Sequence, residues 1–117
     1  MEITPERLRL IREKFETNHF PRSIGIELDS ISSGQARLTL EVKPQHLQLA
    51  GVMHGGAIAT LIDTAVAFAI AGSSEPSARF TTIEMKVNYL SAIREGRIVA
   101  DAKLIRDGRR IIWQNAT

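Results

Sequence analysis

The sequence predicts an α+β fold in which one antiparallel β-sheet wraps around a long central helix, with a further helix at the amino terminus. Residues 57–71 predict the central helix, because all but three of their side chains are apolar. Segments in which apolar and polar residues alternate stand on both sides of this helix in the sequence, as is typical of half-buried strands. A helix that is apolar on nearly every side has to be covered on most of its surface, and a single curled sheet can cover it.

The amino-terminal helix is predicted by its start signals and by one apolar face. Thr4 is a suitable N-cap, and Pro5 suits the first helical position because its missing N–H has no intrahelical partner there. We expect this helix to end near Asn18 and to occupy most of residues 1–20. Its apolar face is formed by Leu8, Ile11 and Phe15.

A β-hairpin is predicted next. Residues 24–31 form the expected first strand, and the Ser-Ser-Gly sequence at residues 32–34 forms the turn. Apolar residues alternate with polar ones from residue 36 to residue 42, which predicts a second strand with one buried face. Pro44 ends this strand, and residues 45–53 are expected to form a loop that leads into the central helix.

Three further strands are expected after the central helix, which should end around the Gly-Ser-Ser-Glu-Pro sequence at residues 72–76. Their expected ranges are residues 80–90, residues 96–106 and the segment from Arg109 onward. Residues 107–108, Asp-Gly, supply a turn between the last two strands. We interpret residues 1–117 as one domain, because the sequence contains no linker and no internal repeat.

Composition narrows the classes of protein to be considered. The chain has 117 residues, 44% of them hydrophobic, which suits a single domain with a real core. A formal net charge of +2 and 5% aromatic residues give no basis for nucleic-acid binding. The sequence has no cysteine for a disulfide or for thiol catalysis, and its three histidines lack metal-ligand spacing. With no apolar leader and no run of about 20 apolar residues, we expect a soluble cytoplasmic protein that binds no membrane.

One acidic residue is unexpected in the apolar central helix, because a carboxylate is costly to bury without a partner. Asp63 shares a helix stripe with Thr60 and Thr64 by the i, i+3, i+4 spacing, so the three polar groups can act together. Gly55 and Gly56 stand where this helix begins. Glycine lets a ligand approach the N–H groups and the positive dipole end of the first helical turn. The combination is typical of an oxyanion hole with an acid–base group.

The sequence Gly-x-x-His-Gly-Gly at residues 51–56, with an acid nine residues after His54, resembles the hotdog-fold thioesterases of the PaaI-like and 4-hydroxybenzoyl-CoA thioesterase branch. The order of the predicted elements is also similar to that family over residues 24–117. The resemblance implies a hotdog fold, a homodimer that pairs again into a tetramer, and acyl-CoA bound at the subunit interface. It implies hydrolysis of an aryl- or medium-chain acyl-CoA to the free acid and CoA, with no cofactor beyond the coenzyme A of the substrate. Family members commonly continue past Thr117, so the final strand is expected to be truncated.

The resemblance also implies roles for individual residues. The backbone N–H of Gly55 would hold the thioester carbonyl, and Asp63 of the partner subunit would act as nucleophile or general base. Gln48 would orient the thioester or the attacking water. The other expected substrate-binding residues are His54, Gly56, Thr64 and Thr82.

Each of these residues also has a structural alternative. Asp63 could hydrogen-bond a neighbouring backbone group, and Gln48 and Thr82 could do the same. His54 is interpreted as a residue that orders the loop in preference to an acid or base, because no acid or second histidine stands at a spacing that would tune it. The two glycines at the helix start could serve helix packing.

Two other functions stay open at this point. A non-catalytic acyl-CoA binding or sensor protein would keep the pocket and lose the chemistry, and the presence of Asp63 argues against it. A hotdog enoyl-CoA hydratase is the enzymatic alternative, although the chain lacks the Phe-Pro-Gly-His-Pro segment of the acyl-carrier-protein dehydratases. The basic group of Arg106, Arg109 and Arg110 is interpreted as a solvated hairpin tip, with a site for the CoA phosphates as the alternative.

Overall fold

The computed structural model describes residues 3–73, 93–105 and 108–116, with side chains described up to residue 103. In chain order the elements are helix α1 (Pro5–Glu16), helix α2 (His19–Ser23), strand β1 (Glu27–Ser32), strand β2 (Gln35–Glu41), a 3-10 helix (Pro44–His46), helix α3 (Gly55–Ser73), strand β3 (Arg97–Ile105) and strand β4 (Gly108–Ala116). The strand expected over residues 80–90 lies outside the described residues, as do the two residues that join β3 to β4.

The four described strands form one antiparallel sheet in the order β1-β2-β3-β4. Ser32 pairs with Gln35 across the first hairpin, which leaves a two-residue turn with Gly34 at a φ of 72°. β2 pairs with β3 along its whole length, and β3 pairs with β4 in the same way. Because side chains alternate along a strand, β2 and β3 each turn one face towards α3 and the other away from it.

The core lies between the inner face of this sheet and α3, which contacts all four strands. The inner residues of β2 and β3 are fully buried: Ala36, Leu38, Leu40, Ile98, Ala100 and Ala102. The buried apolar residues of α3 include Ile58, Leu61, Ile62, Ala65, Phe68 and Ala69. They recur every three or four residues and so form the helix face that packs on the sheet. The predicted wrapping of one sheet around a central helix is therefore present in the described strands.

The amino-terminal helix α1 begins as predicted and holds the far end of α3. Thr4 Oγ1 accepts a hydrogen bond from the Arg7 N–H at 3.2 Å. Phe15 is 1% exposed, and its ring meets the ring of Phe68 edge to face with 5.3 Å between centroids. Arg7 Nη2 donates to the carbonyl oxygen of Ala71 at 2.6 Å, at the end of α3 where carbonyl groups lack helical partners and the dipole is negative.

The segment before β1 differs from the prediction. The short helix α2 was not predicted, and the expectation that β1 begins at residue 24 is wrong, since the strand begins at Glu27. The backbone N–H of Ile26 donates to the carbonyl oxygen of Pro21 at 3.1 Å, and Gly25 has a φ of 93°. The chain thus completes a helical turn with a left-handed residue before it can pair as a strand. Ile26 is nevertheless fully buried in the core.

Within the described parts of the chain, α3 is the one helix that is long and apolar enough, by length and composition alone, to cross a membrane. Half of that stretch is buried inside the chain. Its buried residues are those that pack on the sheet, so the apolar character of α3 is accounted for by its place in the core.

Candidate active site

A small hairpin leads the chain into α3. The N–H of Gln48 donates to the carbonyl oxygen of Val52 at 2.8 Å, and the N–H of Gly51 donates to the carbonyl oxygen of Gln48 at 2.9 Å. Gly51 has a φ of 79°, the left-handed conformation that a three-residue hairpin loop requires at its last position. Leu47 and Met53 pair on either side of this loop. The loop expected before α3 is therefore a hydrogen-bonded hairpin that sets the direction in which the chain enters the helix.

His54 is the residue immediately before α3, and it caps the helix start. Its carbonyl oxygen accepts hydrogen bonds from the N–H groups of Ala57 at 3.0 Å and Ile58 at 3.4 Å. Its ring Nδ1 accepts the N–H of Gly56 at 2.8 Å. A Cβ at Gly56 would lie 3.0 Å from that Nδ1, so glycine gives the ring the space it needs. These contacts fit the role in ordering the loop that the sequence favoured for His54.

His46 is a buried histidine that the sequence analysis did not assign to the site. It is 3% exposed, its Nδ1 accepts the N–H of Lys43 at 2.9 Å, and its Nε2 lies 2.5 Å from the carbonyl oxygen of Ile24. The His46 carbonyl oxygen accepts the N–H of His54 at 2.7 Å. The sequence does carry a signal for this arrangement: Pro44 starts a short helical turn, and a polar side chain two residues later can reach back to the N–H before the turn.

The side of α3 that faces away from the sheet carries the predicted polar stripe. Gly56 is exposed there, and Thr60, Asp63 and Ala67 are half-buried. Asp63 is the single charged residue in the sequence of α3. Thr60 Oγ1 donates to the carbonyl oxygen of Gly56 at 2.8 Å, and Thr64 Oγ1 donates to that of Thr60 at 2.7 Å. Both hydroxyl protons are used by the helix backbone, so these oxygens can only accept a hydrogen bond from water or a ligand.

The remaining expected site residues are placed as follows. Gly55 is the first residue of α3. Gln48 is exposed, and its Oε1 accepts the N–H of Ala50, so the amide oxygen serves the hairpin and the Nε2 donors are the atoms that can face a ligand. Thr64 is only 6% exposed. Thr82 lies outside the described residues.

Within one chain, Gly55 and Asp63 are too far apart to act on the same atom. They stand eight residues apart on α3. An α-helix rises about 1.5 Å per residue, which puts roughly 12 Å between the two positions along the helix axis. The His46, His54 and Gly56 contacts gather at the start of α3, while Asp63 lies more than two turns further along the same helix. A reacting group held at Gly55 could meet such a carboxylate only if a second chain supplied it.

A cationic side chain lies beside the hairpin. The N–H of Met53 donates to the carbonyl oxygen of Ile93 at 2.6 Å. This bond holds residue 93 against the hairpin segment that leads into α3. The next residue, Arg94, is exposed, and its Nη1 would be 3.7 Å from a Cβ at Gly51. Among the described residues, no carboxylate forms an ion pair with Arg94. Side chains of the Arg106, Arg109 and Arg110 group lie outside the described residues.

Residues 50–112 match the sequence pattern of the thioesterase superfamily. This match covers more than half of the chain and includes Gly51 of the hairpin loop, all of α3 and all of β3. The chain belongs to the thioesterase superfamily. The family that the glycine–histidine motif and the order of elements had indicated is thereby confirmed.

Relatives of this thioesterase-superfamily chain carry names that refer to CoA thioesters. The 1,4-dihydroxy-2-naphthoyl-CoA hydrolase of Listeria monocytogenes is 32% identical over 79% of this chain and 76% of the relative. The medium/long-chain acyl-CoA thioesterase YigI of Salmonella typhimurium is 28% identical over 93% of this chain and 81% of the relative. Coverage is lower for other relatives: the chain spans 59% of the length of one from Saccharolobus solfataricus and 61% of one from Halobacterium salinarum.

Solved structures confirm the fold that the sequence predicts. The PaaI protein from the phenylacetic acid degradation operon of Escherichia coli superposes with a TM-score of 0.79 at 22% identity, covering 92% of this chain and 82% of that chain. An antiparallel sheet, a long central helix and an amino-terminal helix are present in the described residues. The fold is therefore the hotdog fold of the thioesterases.

Proposed function

We propose that this chain hydrolyses acyl-CoA thioesters, with an aryl or medium-chain acyl group, to the free acid and CoA. The proposal is supported by its membership of the thioesterase superfamily and by relatives named as CoA-thioester hydrolases. It is also supported by the position of Asp63, a single carboxylate on the side of α3 that faces away from the sheet. That position is the observation on which the proposal chiefly rests, because a carboxylate is costly to place in an apolar helix and such groups cluster at functional sites.

The proposed oxyanion hole is the first turn of α3. Thioester hydrolysis places negative charge on the carbonyl oxygen in the transition state, and helix N–H groups with the positive dipole end stabilise such charge. The proposal gives this role to the backbone N–H of Gly55, the first residue of the helix. The neighbouring Gly56 N–H donates a hydrogen bond to His54 Nδ1. His54 and Gly56 would thus shape the turn that orients the Gly55 N–H.

The proposed acid–base group is Asp63 of the partner subunit. Two copies of α3 packed antiparallel about a two-fold axis near Ala59 would place Gly55 of one copy opposite residue 63 of the other, since 55 and 63 lie symmetrically about 59. The helix side that would meet the second copy carries small residues at Gly56 and Ala59, which allow close approach.

The chemistry needs no cofactor in this proposal. Water attacks the thioester carbonyl carbon, the carbon–sulfur bond breaks, and the products are the free acid and the CoA thiol. Asp63 either takes the proton of the attacking water or attacks the carbonyl itself, giving an anhydride that water then hydrolyses. Gln48 would orient the thioester or the water through its Nε2, and Thr64 would accept a hydrogen bond from that water.

Arg94 is the proposed contact for the phosphates of CoA. It stands beside the hairpin that leads to Gly55. Its guanidinium is exposed and forms no ion pair with the described carboxylates. It could therefore bind phosphate oxygens through bidentate hydrogen bonds.

Release of free CoA from a panel of acyl-CoAs, followed with a thiol reagent, tests the proposal. Steady turnover on aryl- or medium-chain acyl-CoAs is the expected result. Binding of acyl-CoA without thiol release would show that the chain is a non-catalytic acyl-CoA binding protein. Addition of water to an enoyl-CoA without thiol release would show that it is a hotdog hydratase.

A further inference from the structure

We infer that His46 is a positioning residue of the active site, which fixes the start of α3 and so the place of the oxyanion donor. This inference rests on the proposed thioesterase function. It adds to the site a residue that no sequence motif assigned to it. His46 would touch neither the substrate nor the reacting atoms, and it would act through His54.

The two hydrogen bonds of the His46 ring define its orientation and its tautomer. Nδ1 accepts the N–H of Lys43, so it carries no proton. The ring proton is then on Nε2, which donates to the carbonyl oxygen of Ile24. The residue is 3% exposed, so water cannot replace either partner without opening the loop. The side chain thus joins the segment before β1 to the turn that follows β2.

A short series of hydrogen bonds leads from this ring to the first turn of α3. The carbonyl oxygen of His46 accepts the N–H of His54 at 2.7 Å. His54 in turn accepts the N–H of Gly56 on its Nδ1 and the N–H of Ala57 on its carbonyl oxygen. A change in the orientation of residue 46 would therefore move the residue that caps the helix, and with it the Gly55 N–H.

Such a movement should lower kcat more than it changes KM. The oxyanion donor interacts most strongly with the negative charge that develops in the transition state, and binding of the rest of the substrate does not depend on it. A displacement of about 1 Å at a reacting centre can cost roughly 100-fold in rate. We expect His46→Phe, which keeps a flat ring and loses both hydrogen bonds, to lower kcat by about 100-fold with KM within about 2-fold.

Two conservative variants separate the two bonds. His46→Gln places an amide nitrogen near the former Nε2 and can keep the donation to Ile24. His46→Asn places an amide oxygen near the former Nδ1 and can keep the acceptance from Lys43. We expect each to retain more activity than His46→Phe, with kcat lowered by about 10-fold. These variants also serve if His46→Phe does not fold.

A matched control distinguishes positioning from loss of stability. Ile98→Val shortens a fully buried residue of β3, far in sequence from the helix start, and should lower Tm by a few degrees. We expect kcat of Ile98→Val to stay at the wild-type value, while His46 variants with the same Tm lose activity. His46 variants that are folded and keep wild-type kcat would overturn the inference, and so would nitrogen NMR showing the ring proton on Nδ1. Absence of thiol release by the wild-type protein would instead remove the proposed function, leaving the NMR result as the test of the ring geometry.

Discussion

Gly72, in the last turn of α3, lies against the main chain of the β1–β2 hairpin. A Cβ at this position would be 2.6 Å from the carbonyl oxygen of Ser32 and 3.3 Å from side-chain atoms of Ile3 and Ile31. A backbone carbonyl cannot move aside as the end of a flexible side chain can. Glycine at position 72 therefore allows the central helix and the sheet hairpin to touch.

The first prediction follows from that contact. Gly72→Ala should destabilise the fold by about 1–2 kcal/mol, because the cost of overpacking exceeds the gain of roughly 1 kcal/mol that alanine brings to a helix interior. The measurement is the midpoint of urea unfolding at constant m-value. Ser73→Ala, at the exposed neighbouring position, is the control and should change stability little. A Gly72→Ala protein as stable as the wild type would show that the hairpin does not press on the helix.

The outer face of the sheet carries an ion pair, and removal of its two members should not destabilise the fold equally. Arg37 Nε donates to Asp101 Oδ1 at 2.6 Å, and Arg37 Nη2 donates to Oδ2 at 3.2 Å. The Asp101 carboxylate is buried, whereas the Arg37 side chain is about half exposed. Arg37→Met should therefore destabilise more than Asp101→Asn, since it leaves a buried carboxylate without its partner. Urea unfolding of the two variants checks this order, and equal losses would contradict it.

The pH dependence of this pair follows from its pKa shift. The hydrogen bonds that Arg37 donates to Asp101, and then the negative charge of Asp101, raise the pKa of the Arg37 guanidinium. Burial lowers this pKa by less, and the charge of Asp29 makes the smallest contribution, which raises it. A group with a raised folded-state pKa contributes stability below its unfolded pKa and loses it only as the pH passes the folded pKa. The stability difference between wild type and Arg37→Met should therefore stay constant from neutral to mildly alkaline pH. A decline over that range would show that another group controls the pair.

Local sequence signals predicted the parts of the fold that depend on neighbouring residues. The Thr4–Pro5 start of α1, the apolar run of α3 and the alternation along β2 each specify their element within a few residues. The short helix before β1 was missed because the hydrogen bond that closes it, from the Ile26 N–H to the Pro21 carbonyl oxygen, spans a left-handed glycine that a strand pattern does not reveal. Ile26 fits the alternation of apolar and polar residues that continues into β1, so the strand was predicted to start too early.

The sequence allowed us to predict which residues belong to the candidate site, but not which hydrogen bonds and ion pairs they form. The glycine pair and the lone acid of α3 are visible in the sequence, whereas the bonds of His46 depend on the Ile24 carbonyl that the fold brings beside it. In the same way, the pairing of Arg37 with Asp101 requires the β2–β3 register, which a single sequence does not fix. The role expected for Thr82 stays a prediction, because that residue lies outside the described part of the chain.

If Arg94 binds the phosphates of CoA, its removal should affect only substrates that carry those phosphates. Arg94→Ala should raise KM for an acyl-CoA by roughly 10-fold, because a charge-assisted contact with phosphate is lost, with kcat nearly unchanged. The same variant should hydrolyse the matching acyl-N-acetylcysteamine, which has no phosphate, with wild-type KM. Arg97→Ala, at the exposed start of β3, is the control cation. An equal rise in KM on both substrates would point to a disturbed hairpin and not to phosphate binding.

Asp63 gives a prediction about the chemical step. Asp63→Asn keeps the size and removes the charge, so it should lower kcat on acyl-CoA by about 10²- to 10⁴-fold with KM little changed. Thiol release at saturating substrate measures kcat, and the unfolding midpoint shows whether the variant is folded. An Asn variant with near-normal turnover would remove Asp63 from the mechanism and favour its structural alternative.

Mixing of inactive subunits tests whether the two halves of the site come from different chains. Gly55→Pro removes the proposed oxyanion N–H at the first helical position, where proline fits the helix, and Gly55→Ala is the control that keeps the N–H. In a heterodimer of the Gly55→Pro and Asp63→Asn subunits, one site has both defects and the other has neither.

Random pairing makes about half of the dimers mixed, so co-refolding the two inactive variants should restore roughly a quarter of wild-type activity. The roughly 12 Å that separates Gly55 from Asp63 along one helix leaves no other route to this recovery, because neither chain alone can bring the donor and the carboxylate to one carbonyl. Activity that returned in neither the mixed nor the separate samples, while Gly55→Ala stayed active, would show that Gly55 and Asp63 do not form one site across two chains.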